Sequence, residues 1–191
     1  SDCVAGILST NLHNMKGVNL LVDIGTNTEI TLGNNQFMCS CSCASGPAFE
    51  GYNITHGVNA MEGAIDRIRI TEEDYEVAYS TIGNAAPMGI CGSGIIDSIA
   101  ELLRTGIIDQ HGYFVDNIAI DRIRGEKSER EFVIANRNET ARGVEITIRQ
   151  TDVREVQLAK AAIYAGIQTL LNKANMRAEK LSRVYIAGSF G

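Results

Sequence analysis

Four short stretches of this 191-residue chain carry residue types that could do chemistry. In Asp23-Ile24-Gly25-Thr26-Asn27-Thr28-Glu29 a carboxylate is followed by a glycine and then by three side chains able to donate hydrogen bonds. Gly25 lets the backbone approach a ligand closely, and the successive N–H groups of such a turn can form a concave anion site. Thr26, Asn27 and Thr28 add side-chain donors. Asp23 is placed to hold a Mg²⁺-bound water or to orient a nucleophilic water. That is phosphate-gripping chemistry. The competing reading is an ordinary turn in which Asp23 hydrogen-bonds its own backbone.

Gly92-Ser93-Gly94 opens a helix, where exposed N–H groups and the helix dipole favour negative charge. Taken alone it is equally a plain helix start. Gly188-Ser189-Phe190-Gly191 follows a strand, and its glycines would let a flat ligand such as adenine approach the backbone; a tight strand-to-helix turn is the alternative. Cys39-x-Cys41-x-Cys43 invites a metal. In a strand the three sulfurs would form a row about 6–7 Å apart. Such a row cannot close a tetrahedron around zinc, and His13, His56 and His111 offer no partner spacing. Small buried side chains on a strand face are expected instead.

These residues must be held by regular elements. Val4, Ile7, Leu8 and Leu12 fall at helical spacing and predict a helix over 4–16, broken by Gly17. Leu20–Ile24 is a short apolar run with the look of a buried strand. Glu29–Leu32 and Gln36–Ser42 follow as second and third strands around a Gly33-Asn34-Asn35 turn, making a meander. Gly46–Gly51 leaves the sheet as a rigid loop, and small strands or a short insert run to about Gly83. The next helix starts at Gly92 and closes at Gly106. The charged run Arg122–Arg130 reads as a solvated loop flanked by strands at Phe132–Ala135 and Val144–Ile148. The longest helix starts near Asp152 as N-cap, with Glu155 completing a capping box. Its apolar positions are Val156, Ala159, Ile163, Ile167 and Leu170. A last strand, Arg183–Ala187, enters the final glycine turn.

Bulk properties narrow the class. Hydrophobic content of 45%, 21% charged residues, 19 glycines and no tryptophan suit an α/β protein with tight turns. The net charge of −6, without a Lys/Arg run, argues against nucleic acid as a partner. No apolar stretch approaches the roughly 18–20 residues needed to span a bilayer, so no membrane association is expected. Five cysteines without paired spacing point to reduced thiols and a cytoplasmic location.

The order strand, phosphate hairpin, meander, insert, helices, strand and terminal glycines resembles the second half of the actin/hexokinase/Hsp70 ATPase superfamily. Within it the chain resembles the reductive activators of corrinoid proteins, which are ATP-dependent and carry an N-terminal [2Fe–2S] ferredoxin-like domain. The matching segments are Leu20 to Asn27, Ala44 to Gly51, Gly63 to Asp66, Gly89 to Gly94, Gln150 to Glu155 and Ala187 to Gly191. The resemblance implies an α/β, ribonuclease H-like subdomain with a mixed sheet, a β-meander plus helices, and a small inserted subdomain. Residues 1–191 would be the second, C-terminal half of the ATPase domain, with inserted elements at about 48–88 and 110–148. The ferredoxin domain and the first phosphate-loop subdomain would be absent. Three positions depart from the family pattern. Thr28 stands where Gly is usual, Ser45 where Ala is common, and Arg149 where Thr is frequent. A β-branched Thr28 tolerates positive φ poorly, which bears on the loop geometry.

The resemblance further implies ATP and Mg²⁺ as cofactors, with Asp23 ordering Mg²⁺ through a bound water and serving as the catalytic residue. Gly25, Thr26, Asn27, Thr28, Gly92 and Ser93 would bind phosphates, and Gly188, Ser189, Phe190 and Gly191 the adenosine. The partner would be a corrinoid protein, returned from Co(II) to Co(I) for methyl transfer; a homodimer stays open. With its opposing loop missing, the chain is expected to be inactive alone. Two other readings stand beside it. One is a partner-docking module without independent nucleotide binding. The other is a fragment of a sugar- or acetate-kinase-like phosphotransferase, disfavoured because no sugar- or acid-binding constellation is visible.

Overall fold

The computed structural model describes residues 2–116, 118 and 120–188. In chain order, α1 spans Asp2–Ser9, β1 Asn19–Ile24, β2 Thr28–Gly33, β3 Met38–Cys43, β4 Ala64–Ile70, β5 Val77–Thr81 and β6 Gly89–Ile90. Then come α2 at Gly92–Arg104, β7 at Ile123–Arg124, β8 at Glu131–Ala135, β9 at Ile146–Arg149, α3 at Gln150–Lys173 and β10 at Arg183–Gly188. They fall into two compact units: residues up to Gly46 together with those from Leu158 onward, and Pro47–Gln157. Both stretches anticipated as inserts lie within the second unit, which also contains α2.

The first unit follows from alternation. Its sheet has the order β10-β1-β2-β3, with β1, β2 and β3 antiparallel neighbours and β10 parallel to β1. Residues two apart share a face, so Leu20 and Val22 of β1 and Ile30 and Leu32 of β2 form one apolar surface. Leu170 and Leu171 of α3 pack on it, joined by the partly buried Ile163 and Ile167. Leu21, 1% exposed, faces the other way. There a Cβ on Gly6 of α1 would come within 2.8 Å of the Leu21 side chain, so glycine lets the helix lie close to β1.

The helix anticipated over 4–16 stops at Ser9. The Thr10 hydroxyl donates to the Gly6 carbonyl at 2.8 Å, and Asn11 takes a left-handed φ of 55°, after which Leu12–Asn14 form a single 3₁₀ turn. Side-chain competition for the backbone ends the helix before Gly17. The β2–β3 connection is held by Asn34, whose Oδ1 accepts from the N–H groups of Gln36 and Phe37 at 2.9 and 3.1 Å.

In the second unit, β5-β4-β6 form one three-stranded sheet and β7-β8-β9 another. Helix α2 packs on β4 through Gly94, where a Cβ would lie 2.3 Å from the Ile65 carbonyl oxygen. The stretch 122–130 is more structured than a solvated loop, because it contains β7 and a 3₁₀ turn at Lys127–Glu129. Its two flanking arginines reach inward to backbone: Arg122 to the Val133 carbonyl, and Arg130 to those of Phe114 and Val115. Asp152 is also displaced from its anticipated place. Helix α3 begins at Gln150, and Asp152 reaches back from its first turn to accept the Arg149 N–H at 2.8 Å. That is the returning half of a capping box, made by Asp152 instead of Glu155. The other Asp152 oxygen accepts from both the N–H and the hydroxyl of Thr55, at 2.9 and 3.0 Å.

Glu101 is a buried carboxylate on α2, 4% exposed. It accepts from Arg104, from Arg69 at 2.9 Å and from the Ile70 N–H at 2.8 Å. The Arg104 hydrogen bonds, aided by the Ile70 N–H and Arg69, hold its pKa down to about 2 against an ordinary value of 4.5. A depressed carboxylate pKa stabilises the fold above the unfolded value and loses that contribution as pH falls through the folded one. The contribution is therefore complete above about pH 4.5 and disappears between there and about pH 2. We expect Glu101→Gln to remove about 2 kcal/mol of the acid dependence, a figure reduced for the exposed arginine partners. Urea midpoints at pH 3 and pH 6 measure it. Equal acid sensitivity in both proteins would contradict the assignment.

Candidate functional site

Asp23 sits near the end of β1, half-buried, opposite Glu29 across the hairpin and beside Ala187 of β10. The next step in register pairs Ile24 with Gly188. The hairpin turn and Gly188 thus lie at the same end of two neighbouring parallel strands. Gly188 has a φ of +86°, and a Cβ there would lie 2.2 Å from the Ile24 carbonyl oxygen and 2.8 Å from Asp23 Oδ1. Glycine is required on both counts, because an L side chain is strained at that φ and has no room. The structure accordingly brings Asp23 and Gly188 together. Ser189, Phe190 and Gly191 lie outside the described residues.

The turn itself is Gly25-Thr26-Asn27. Gly25 does not adopt a positive φ; a Cβ there would lie 3.3 Å from the Asn27 carbonyl oxygen, so glycine serves close approach. Thr26 and Asn27 are exposed. Thr28 is different: it opens β2, is 0% exposed, and is absent from the positive-φ positions, so the anticipated backbone strain does not arise. Its hydroxyl lies 2.8 Å from Ser45 Oγ, within the fold. The side-chain donor anticipated at Thr28 is engaged there. By sequence Ser45 is only a departure from the family pattern, and its contact with the other departure, Thr28, has no signature in spacing.

Gly92 and Ser93 belong to the second unit, at the start of α2. Gly92 is buried, while Ser93 is exposed with its hydroxyl 3.5 Å from Cys91 Sγ. Cys91 precedes the helix in an extended conformation and gives no side-chain cap. The neighbouring Gly94 is explained by its packing on β4 alone.

The three β3 cysteines face α3. A Cβ on Gly166 would lie 2.2 Å from Cys43 Sγ and 3.5 Å from Cys41 Sγ, so glycine makes room for two sulfurs under the helix. Cys41 and Cys43 Sγ are 4.0 Å apart, closer than an ideal strand spacing gives. Burial, reinforced by the neighbouring Cys43, pushes the Cys41 thiol up to about 11. A thiol so held stays protonated at neutral pH and packs as a small apolar group. Among the described residues no group of three or more His, Cys, Asp or Glu is arranged to chelate a metal ion. Asp23, a single carboxylate at a strand end, fits a cation that keeps most of its own waters, as Mg²⁺ does.

A mixed sheet of this order, with a carboxylate and a polar hairpin at the end of its first strand, defines an ASKHA-type domain. Residues 17–191 match the family described as the C-terminal domain of RACo, the ASKHA domain. The chain belongs to that family. It is 41% identical over 183 residues to the corrinoid activation enzyme RamQ of Eubacterium limosum, a match covering 92% of this chain and 30% of that protein. It is 27% identical over 211 residues to the [Co(II) methylated amine-specific corrinoid protein] reductase of Methanosarcina barkeri, covering 100% of this chain and 35% of that one. A solved structure of a reductive activator for corrinoid, iron-sulfur protein superposes with a TM-score of 0.91 at 45% identity, over all of this chain and 30% of that chain. The chain thus spans about a third of the length of these relatives. None of the described helices is long and apolar enough to cross a membrane.

Proposed function

We propose that this chain is the nucleotide-binding portion of an ATP-dependent reductive activator that returns Co(II) corrinoid proteins to Co(I). The observation that carries the reading is the Ile24–Gly188 register. It sets the Asp23–Asn27 hairpin beside the start of the terminal glycine stretch, as an ATP clamp requires of its phosphate and adenosine contacts. Backbone amides of Thr26 and Asn27 would face phosphate oxygens, Asp23 would order a Mg²⁺-bound water, and Gly188 would let the nucleoside lie against backbone. Gly92 and Ser93 are a second anion site in the same reading. Bound Mg²⁺ would supply charge neutralisation to the phosphates.

The chemistry of the whole activator divides naturally. Cobalt gains one electron, which an iron–sulfur group of the [2Fe–2S] type would give up. ATP hydrolysis to ADP and phosphate would make that uphill transfer proceed, by coupling to closure or release of the corrinoid protein. This chain's part is to bind and position nucleotide. The activator names of the relatives support the corrinoid partner.

Calorimetric titration of the full-length gene product with Mg-ATP tests the reading, alongside absorbance of Co(I) on a corrinoid protein supplied with a reductant. ATP is expected to bind with a dissociation constant in the micromolar range or tighter, and to be required for Co(I) to appear. Absence of binding heat in a folded protein would favour a docking module without nucleotide. Phosphorylation of a sugar or short acid would favour the kinase reading.

A further inference from the structure

We infer that Thr28 and Ser45 form a buried hydroxyl brace that fixes the peptide orientations of the Gly25–Asn27 turn, so that both act on nucleotide binding as positioning residues. The inference rests on reading that turn as a phosphate grip. Thr28 is 0% exposed and Ser45 6% exposed, so neither hydroxyl is presented to a ligand. Their oxygens are 2.8 Å apart. Ser45 Oγ also lies 3.2 Å from the Gly25 carbonyl oxygen and 3.4 Å from that of Thr26. The Gly46 N–H donates to the Thr26 carbonyl at 3.0 Å.

Proton counting assigns the roles. Carbonyl oxygens only accept, so the single Ser45 proton is directed to the Gly25 and Thr26 carbonyls. Thr28 must then donate to Ser45 Oγ. Two successive carbonyls are thereby held toward the 45–46 segment. In a trans peptide the N–H of the following residue points opposite to the carbonyl. Tying down the carbonyls of Gly25 and Thr26 therefore turns the N–H groups of Thr26 and Asn27 away from Ser45, on two exposed residues. Consecutive amides turned to one side are the arrangement that attracts an anion. The brace also accounts for two polar side chains buried beneath a turn whose own side chains are exposed.

The test uses four variants of the full-length gene product, with Mg-ATP as the probe. Thr28→Val keeps the shape of the side chain and removes its hydroxyl. Ser45→Ala removes the shared acceptor and donor, and Thr28→Ser keeps the hydroxyl. Thr28→Val and Ser45→Ala are each expected to raise the KM for ATP about tenfold, with kcat at saturating ATP within about twofold of the parent. Thr28→Ser should restore the parental KM, and the double variant should be no worse than either single one, since both break one unit. A parental KM in Thr28→Val, or a loss in Thr28→Ser equal to that in Thr28→Val, would overturn the brace. Failure of the unsubstituted protein to bind ATP would instead overturn the phosphate-grip reading, and so separates the two. If Thr28→Val does not fold, Ser45→Ala, which deletes one oxygen, carries the comparison.

Discussion

Asp23→Asn in the full-length gene product is expected to lower kcat for ATP hydrolysis by a factor on the order of 10²–10³ while leaving the melting temperature nearly unchanged. The substitution keeps size and shape. Backbone pairing of position 23 to Glu29 and Ala187 does not depend on the side chain, so the sheet should persist. What disappears is a negative charge at the end of β1, beside Gly188, where it would hold a Mg²⁺-bound water or orient the attacking one. Because an amide cannot attract a metal-bound water as a carboxylate does, the loss should appear in kcat more than in ATP affinity. Unchanged turnover would remove Asp23 from the chemistry. A matching fall in melting temperature would make it a structural residue.

Gly188→Ala should damage fold and site together. The new methyl would meet the Ile24 carbonyl oxygen at 2.2 Å and its carbon at 3.0 Å, both backbone atoms of the strand to which β10 is paired. It would also impose a side chain on a φ of +86°. Overpacking against backbone and positive-φ strain add, for a cost of about 3 kcal/mol or more, with nucleotide affinity falling at least about tenfold. Gly106→Ala is the control. Its φ is +72°, and nothing lies within 4 Å of the added Cβ, so only the backbone strain of about 1 kcal/mol should appear. Urea denaturation distinguishes the two. Equal costs would mean that the close approach of β1 and β10 carries no energetic weight.

The sequence made the first unit legible because its signals are local. A short apolar run marks β1, glycine and asparagine mark the turns, and the 3.6-residue period marks α3. The DxGT hairpin and the terminal glycines could be paired only through a resemblance in order, since nothing in the spacing of residues 23 and 188 states that their strands are neighbours. The second unit was less legible. Its strands β5 to β9 are short, and β7 lies inside a charged run whose Arg122 and Arg130 look solvated in sequence but reach inward to carbonyls. Asp152 reads as an N-cap in sequence but acts from the first turn of α3, and its grip on Thr55, 97 residues away, has no local trace. Thr28 misled for a similar reason. Its residue type argued for turn strain, whereas its position in β2 and its partner Ser45 make it part of the scaffold.

The parallel pairing of β10 on β1 has a consequence for how the site and the sheet respond to one another. Among the described residues, β10 is hydrogen-bonded in the sheet only to β1, and its last pair, Ile24 with Gly188, is where the nucleotide contacts would begin. Detachment of β10 and emptying of the clamp are then linked equilibria. A ligand that binds only the closed register lowers the population of the frayed strand by mass action. Conversely, loosening β10 weakens the ligand in proportion to the closed fraction that is lost. On the proposed reading, the edge of the sheet would in this sense be part of the binding site.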